Sequence, residues 1–279
     1  MSAETGGTAT DASPGDGALV AVARFEGRNR LTITGVIAVL FALFGGMYVW
    51  LGPQLVAGDA MQDLLDAMPA VLTELFGFES LTSMEGLLAS EFYTFGWIVG
   101  LAGYLAYSAA GTVAGDLRDD RMDTLLAGPV SRRGVLLGKY LALLVPVLAL
   151  NVVVPAGLYA ASVAVGDPLA VEPLVVVHLL SIPYLLLWGA VGLFLGVTVR
   201  RGRTAGRIAL GLVLFGWIFE SVVSVTDYAW LGAVSPMRYF DPPAAFVHGT
   251  YDVAGAGLLA VVAVALVAAS QAWFRRRDL

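Results

Sequence analysis

No cysteine occurs in the 279 residues. That excludes a disulfide, a thiolate metal site and a cysteine nucleophile. Lysine is nearly absent: Lys139 stands alone against 15 arginines. Charge of either sign is scarce, at 14% of residues, where an ordinary soluble domain carries about 25%. The two histidines, His178 and His248, lie on opposite sides of an apolar run and make no metal-ligand spacing. No basic residues interleave with aromatics on a polar stretch, so there is no nucleic-acid footprint.

The motifs of soluble catalysis are missing too. No phosphate-binding loop of the form Gly-x-x-x-x-Gly-Lys-Ser/Thr occurs. The nearest approach, Gly134 to Lys139, has three residues between its glycines and Tyr140 where a magnesium-binding hydroxyl would be needed. This chain is therefore not expected to bind ATP itself. Neither His-Glu-x-x-His nor Gly-x-Ser-x-Gly is found. No cofactor or metal is expected on it, and catalysis by it is poorly supported.

What the chain has is apolar length. Apolar residues make up 58%, and the mean hydropathy is +0.79. One soluble core of this size could not hide that much apolar surface. Six runs are long enough to cross about 30 Å of hydrocarbon, which takes about 20 helical residues. They cover 31–51, 92–115, 140–165, 173–199, 208–226 and 253–274. Within them the one acidic or basic residue is Glu220, and the one histidine is His178. Backbone groups in lipid must be satisfied within the segment, so these runs read as helices, not barrel strands. The sequence predicts an all-α, polytopic membrane protein with six transmembrane helices.

The segments between the runs set the orientation. With the N-terminus inside, inner segments carry every basic residue except Arg238, which is 15 of 16. Such a split predicts both termini in the cytoplasm of a cell-membrane protein. Residues 1–17 are rich in Gly, Ser, Thr, Ala and Asp. They read as a disordered cytoplasmic tail, with neither the basic start nor the apolar core of a signal peptide. Residues 18–30 set Leu19, Val22 and Ala23 against Arg24, Glu26 and Arg28, which predicts an interfacial helix. Outside, residues 52–91 place Met61, Leu64, Leu65, Met68, Leu72 and Leu75 at helical spacing, with an acidic opposite face and a break at Pro69. Pro146, Pro155 and Pro183 predict kinks. Gly96–Gly100 and Gly192–Gly196 have the Gly-x-x-x-Gly spacing that lets helices approach.

Two sites are candidates for function. Glu220 lies near the outer end of the fifth run, and a charge at that depth should face the bundle interior or a water-filled vestibule. Together with His178 it is a candidate lining of a translocation path, the alternative being a structural carboxyl bonded to a neighbouring helix. The second candidate is the inner loop 115–139. Asp116, Asp119 and Asp120 cluster at the start of a short helix, where carboxylates favour the positive end of its dipole. Met122, Leu125 and Leu126 form about one turn of apolar face, and Gly128-Pro129 stops the helix. Ser131 can cap the next helix. By its residues alone this is either a docking helix at the membrane face or a solvated connector.

The loop resembles the first cytoplasmic loop of type-2 ABC transporter permeases. Those carry an acidic cluster, an acidic-Leu-Leu segment, small-Pro-Val-Ser-Arg and a closing Gly-Lys. Asp116, Asp119, Asp123, Leu125, Leu126, Pro129, Ser131, Arg132, Gly138 and Lys139 match that pattern, while Asp120-Arg121 stands where the family has Gly-Thr. The stretch Ser235-Pro236-Met237-Arg238-Tyr239-Phe240 is similar to one these permeases carry after their fifth span. The resemblance covers the plan of residues 18–279 and implies a permease domain. It further implies that the loop is a coupling helix docking on a separate cytosolic ATPase, which would hold ATP and Mg. A homodimer, or a heterodimer with a related permease, is implied, with export as the usual direction. The competing expectations are a secondary transporter driven by an ion gradient and a membrane-embedded enzyme acting on lipid.

Overall fold

The computed structural model describes residues 14–56, 63, 66–69, 83–118, 131–199 and 201–276. Among the described residues the chain is helical and contains no strand. Six helices are long and apolar enough to cross a bilayer: Leu19–Gln54, Met84–Asp116, Arg132–Val165, Val171–Thr198, Gly202–Ser224 and Val253–Arg275. They are called the first to sixth spans.

Each of the first three spans outgrows its apolar run. A single helix, Pro14–Val56, contains both the first span and the stretch expected as a separate interfacial helix. It starts inside the expected tail, at a proline, whose missing N–H costs nothing at a helix's first position. No proline interrupts it before Pro53, so it does not break at the membrane face. The second span begins at Met84, capped by the Ser83 hydroxyl accepting from Gly86 N at 3.0 Å. It is π-helical over Leu88–Leu101 and α-helical over Ala102–Arg118.

The third span starts at Arg132, where Ser131 caps as its sequence position predicts, its hydroxyl accepting from Gly134 N at 3.0 Å. This span breaks at Ala142-Leu143, between Arg132–Leu141 and Leu144–Val165. The cause is Pro146, which has no N–H to give the Ala142 carbonyl and whose ring crowds it. Pro155 and Pro183, by contrast, sit within continuous helices.

The second and fourth spans form the centre. Gly192 and Gly196 pack directly on the second span: a Cβ at Gly192 would collide with the Ala106 carbonyl oxygen, and one at Gly196 would lie 2.9 Å from that of Ala110. Lipid offers no hydrophobic gain for helix association, so such close packing is what holds the pair. Trp97, Tyr93, Tyr184 and Phe92 are fully buried around it. The first span is the least enclosed, and Val36, Val39, Leu43 and Trp50 stand exposed along it as a lipid-compatible surface. The fifth and sixth spans are joined by two 3-10 turns, Ala229–Val234 and Pro236–Tyr239, and a short helix, Pro242–His248.

Candidate functional sites at the two ends of the bundle

At one end the starts of the odd spans meet the ends of the even ones. Lys139, two turns into the third span, is only 2% exposed. Its Nζ donates to Glu26 Oε1 of the first helix at 2.5 Å and pairs with Asp116 Oδ2, at the end of the second span, at 2.5 Å. One buried ammonium thus joins three helices and flanks the loop that Asp116 opens. Beside it Gly138 lets the first helix close in, since a Cβ there would lie 2.9 Å from Val22 Cγ1 and 3.2 Å from the Leu19 carbonyl oxygen. Arg133 Nε donates to Gln271 Oε1 at 2.9 Å, tying the loop's exit to the sixth span.

Two carboxylates around one ammonium leave an excess negative charge. Arg30, one helical turn beyond Glu26, supplies the balance. It is 7% exposed and donates through Nη1 to Ser108 Oγ at 2.6 Å and through Nη2 to Thr112 Oγ1 at 3.2 Å. Glu26, Asp116, Lys139 and Arg30 sum to zero charge at this end, a quartet in which Lys139 pairs with both carboxylates and Arg30 bonds hydroxyls of the second span. Of the loop residues, Asp116 belongs to this quartet and Arg132 is half-buried at the start of the third span. Asp119, Asp120, Arg121, Asp123, Leu125, Leu126 and Pro129 lie outside the described residues. So does most of the expected outer stripe, of which Met68 is described and half-buried.

Sequence reasoning gave Glu26 no role beyond a polar face and Lys139 none beyond a motif match. The signal available was the singularity of Lys139: in a chain that uses arginine for every surface cation, a lone lysine has a specific seat. Its compact ammonium, with three rotatable donors, reaches both carboxylates at once.

At the opposite end, Glu220 meets Arg238, the one basic residue of the segments expected outside. Arg238 Nε donates to Glu220 Oε1 at 2.9 Å, with the two side chains 30% and 16% exposed. The backbone of Gly232 lies against both, and a Cβ there would collide with the Arg238 guanidinium. This pair lines a cavity of about 350 Å³ between the second span, the fifth span and residues 236–243. Thr94 and Ser221 give it hydroxyls, Phe95 and Trp217 an aromatic wall, and Asp241 a second carboxylate. The two aromatic rings meet edge to face at 5.6 Å. His178 is elsewhere. It is 2% exposed, its Nδ1 lies 2.8 Å from the Leu174 carbonyl oxygen, and the rings of Tyr93 and Trp97 close over it. That places it in the packed interior. Among the described residues no group of His, Asp and Glu is arranged to hold a metal.

Six apolar helices, a loop clamped at the end where basic residues gather and a cavity at the other end are the plan of a permease domain. A family model described as ABC-2 family transporter protein matches residues 20–279. The chain belongs to that family. It is the membrane permease of an ABC transporter. No curated protein matches the sequence of this ABC-2 permease.

Proposed function

We infer that this permease forms the translocation path of an exporter powered by a separate cytosolic ABC ATPase. The observation that carries the reading is the buried Lys139, whose two carboxylate partners fix the entry helix and both flanks of the loop 117–131 in one place. A loop that delivers force from a partner needs rigid ends, and buried charge pairs are stiff because breaking one exposes unpaired charge. The phosphate loop missing from the sequence assigns ATP and Mg to that partner. In this reading both termini and the quartet face the cytoplasm, the cavity at Glu220 faces outside, and Asp116 to Arg133 docks on the ATPase. The exposed apolar first span leaves room for a second permease copy or a related chain.

The test is the double change Leu125→Asp and Leu126→Asp, placed on the apolar turn read as the contact surface. Membrane insertion and the yield of monodisperse permease should stay as in the parent. Co-purification of the ATPase subunit should fall at least tenfold, the loss that about 1.4 kcal/mol produces. Undiminished co-purification would show that docking uses another surface.

A further inference from the structure

The outer cavity has a definite chemistry. Its charged lining is Glu220, Asp241 and Arg238, so its sum is one negative charge. Arg238 Nε donates to Glu220 Oε1 at 2.9 Å, while Glu220 Oε2 is buried without a hydrogen-bond partner, and Asp241 is the lining carboxylate that pairs with no cation among the described residues. One oxygen of Asp241 accepts from Ala244 N at 2.9 Å, capping the helix Pro242–His248, and this fixes where the charge sits. Trp217, Phe95 and Phe240 line the same cavity. Aromatic faces and a carboxylate lining one cavity attract organic cations. An anion would meet the net negative charge, and the guanidinium already gives its Nε to Glu220. A volume of about 350 Å³ lies in the range of small-molecule sites.

We propose that this cavity is a binding site for a monovalent organic cation with an apolar body, its charge near Asp241 and its body against Trp217 and Phe95. The proposal rests on reading this end as the outer mouth of the path, and it names the class of substrate that passes there. Arg238 acts as a negative selector, holding Glu220 neutralised so that the site carries one charge.

Radiolabelled benzyltrimethylammonium is the probe, with benzenesulfonate as the anion of similar body. Equilibrium binding is measured on the full-length permease in nanodiscs without any ATPase. The result therefore does not depend on docking, and failure of the docking test leaves it unaffected. Saturable binding of the cation is expected, with benzenesulfonate failing to compete. Asp241→Asn keeps the helix cap, because asparagine caps as well as aspartate, and should weaken the cation about tenfold. Glu220→Gln should weaken it as well, while Arg238→Gln should tighten it, because the lining then carries two negative charges. A merely structural ion pair would make both of those variants bind worse. Absence of saturable binding, equal competition by the anion, or an unchanged affinity in Asp241→Asn would overturn the proposal. If Arg238→Gln does not fold, Asp241→Asn decides alone.

Discussion

Lys139 shows how much one side chain carries in a chain with so few charges. Its seat between Glu26 and Asp116 is 2% exposed, so removing the ammonium strands two carboxylates together. Breaking a buried pair from one side costs about 3–5 kcal/mol. Lys139→Met should therefore lower the thermal unfolding temperature of the detergent-solubilised permease steeply. Adding Glu26→Gln and Asp116→Asn should recover most of the loss, since the stranded charges are then gone. If the single variant melts like the parent, the ammonium is not what joins the three helices. The sequence made this residue visible as the only lysine but could not supply its partners, because Glu26 is 113 positions away. Glu220 was more legible. A carboxyl within an apolar run has to face protein or water, but its partner Arg238 was not read from the sequence.

At the scale of elements, the spans could be counted from apolar run length alone. Their ends could not. Charged residues beyond each run continue the helix where they find partners, as Arg132 to Lys139 do at the start of the third span. The π-helical stretch Leu88–Leu101 has no sequence signature, because hydropathy does not distinguish i+4 from i+5 bonding. The break at Ala142-Leu143 follows from Pro146, but the same logic at Pro155 and Pro183 gives no interruption. Neighbouring helices and side chains can re-satisfy the freed carbonyls. The Asn151 side chain donates to the Val147 carbonyl oxygen at 2.8 Å and accepts from Ser181 at 2.8 Å, cross-linking the third and fourth spans one turn before Pro155. Of the two glycine pairs, Gly192–Gly196 forms a backbone seam, whereas Gly96 faces the Phe41 ring. Gly192→Val should push the second and fourth spans apart at a cost of about 1–3 kcal/mol. Loss of monodisperse protein on gel filtration is the expected readout. Normal yield with unchanged melting would mean the seam does not hold the core.

For the whole molecule, the split of the basic residues predicts one orientation. The quartet, the start of the third span and Arg203 gather at one end; the cavity, Trp230 and Thr250 lie towards the other. With no native cysteine, single cysteines report side directly. Trp230→Cys and Thr250→Cys, both at exposed positions, should react with an impermeant thiol reagent in intact cells. Arg203→Cys and Arg276→Cys, also exposed, should react only after permeabilisation. Reaction of Arg203→Cys in intact cells would invert the orientation and with it the placement of the loop.

The central claim is that this chain conducts but does not hydrolyse, and that its power comes from a docked ATPase. ATP hydrolysis measured on the permease purified alone, and again after co-expression with a cytosolic ABC ATPase from the same source, tests this most directly. The account predicts no turnover above background for the chain alone and steady hydrolysis that co-elutes with the permease in the second preparation. Hydrolysis by the chain alone, or activity that never co-elutes with it, would contradict the account.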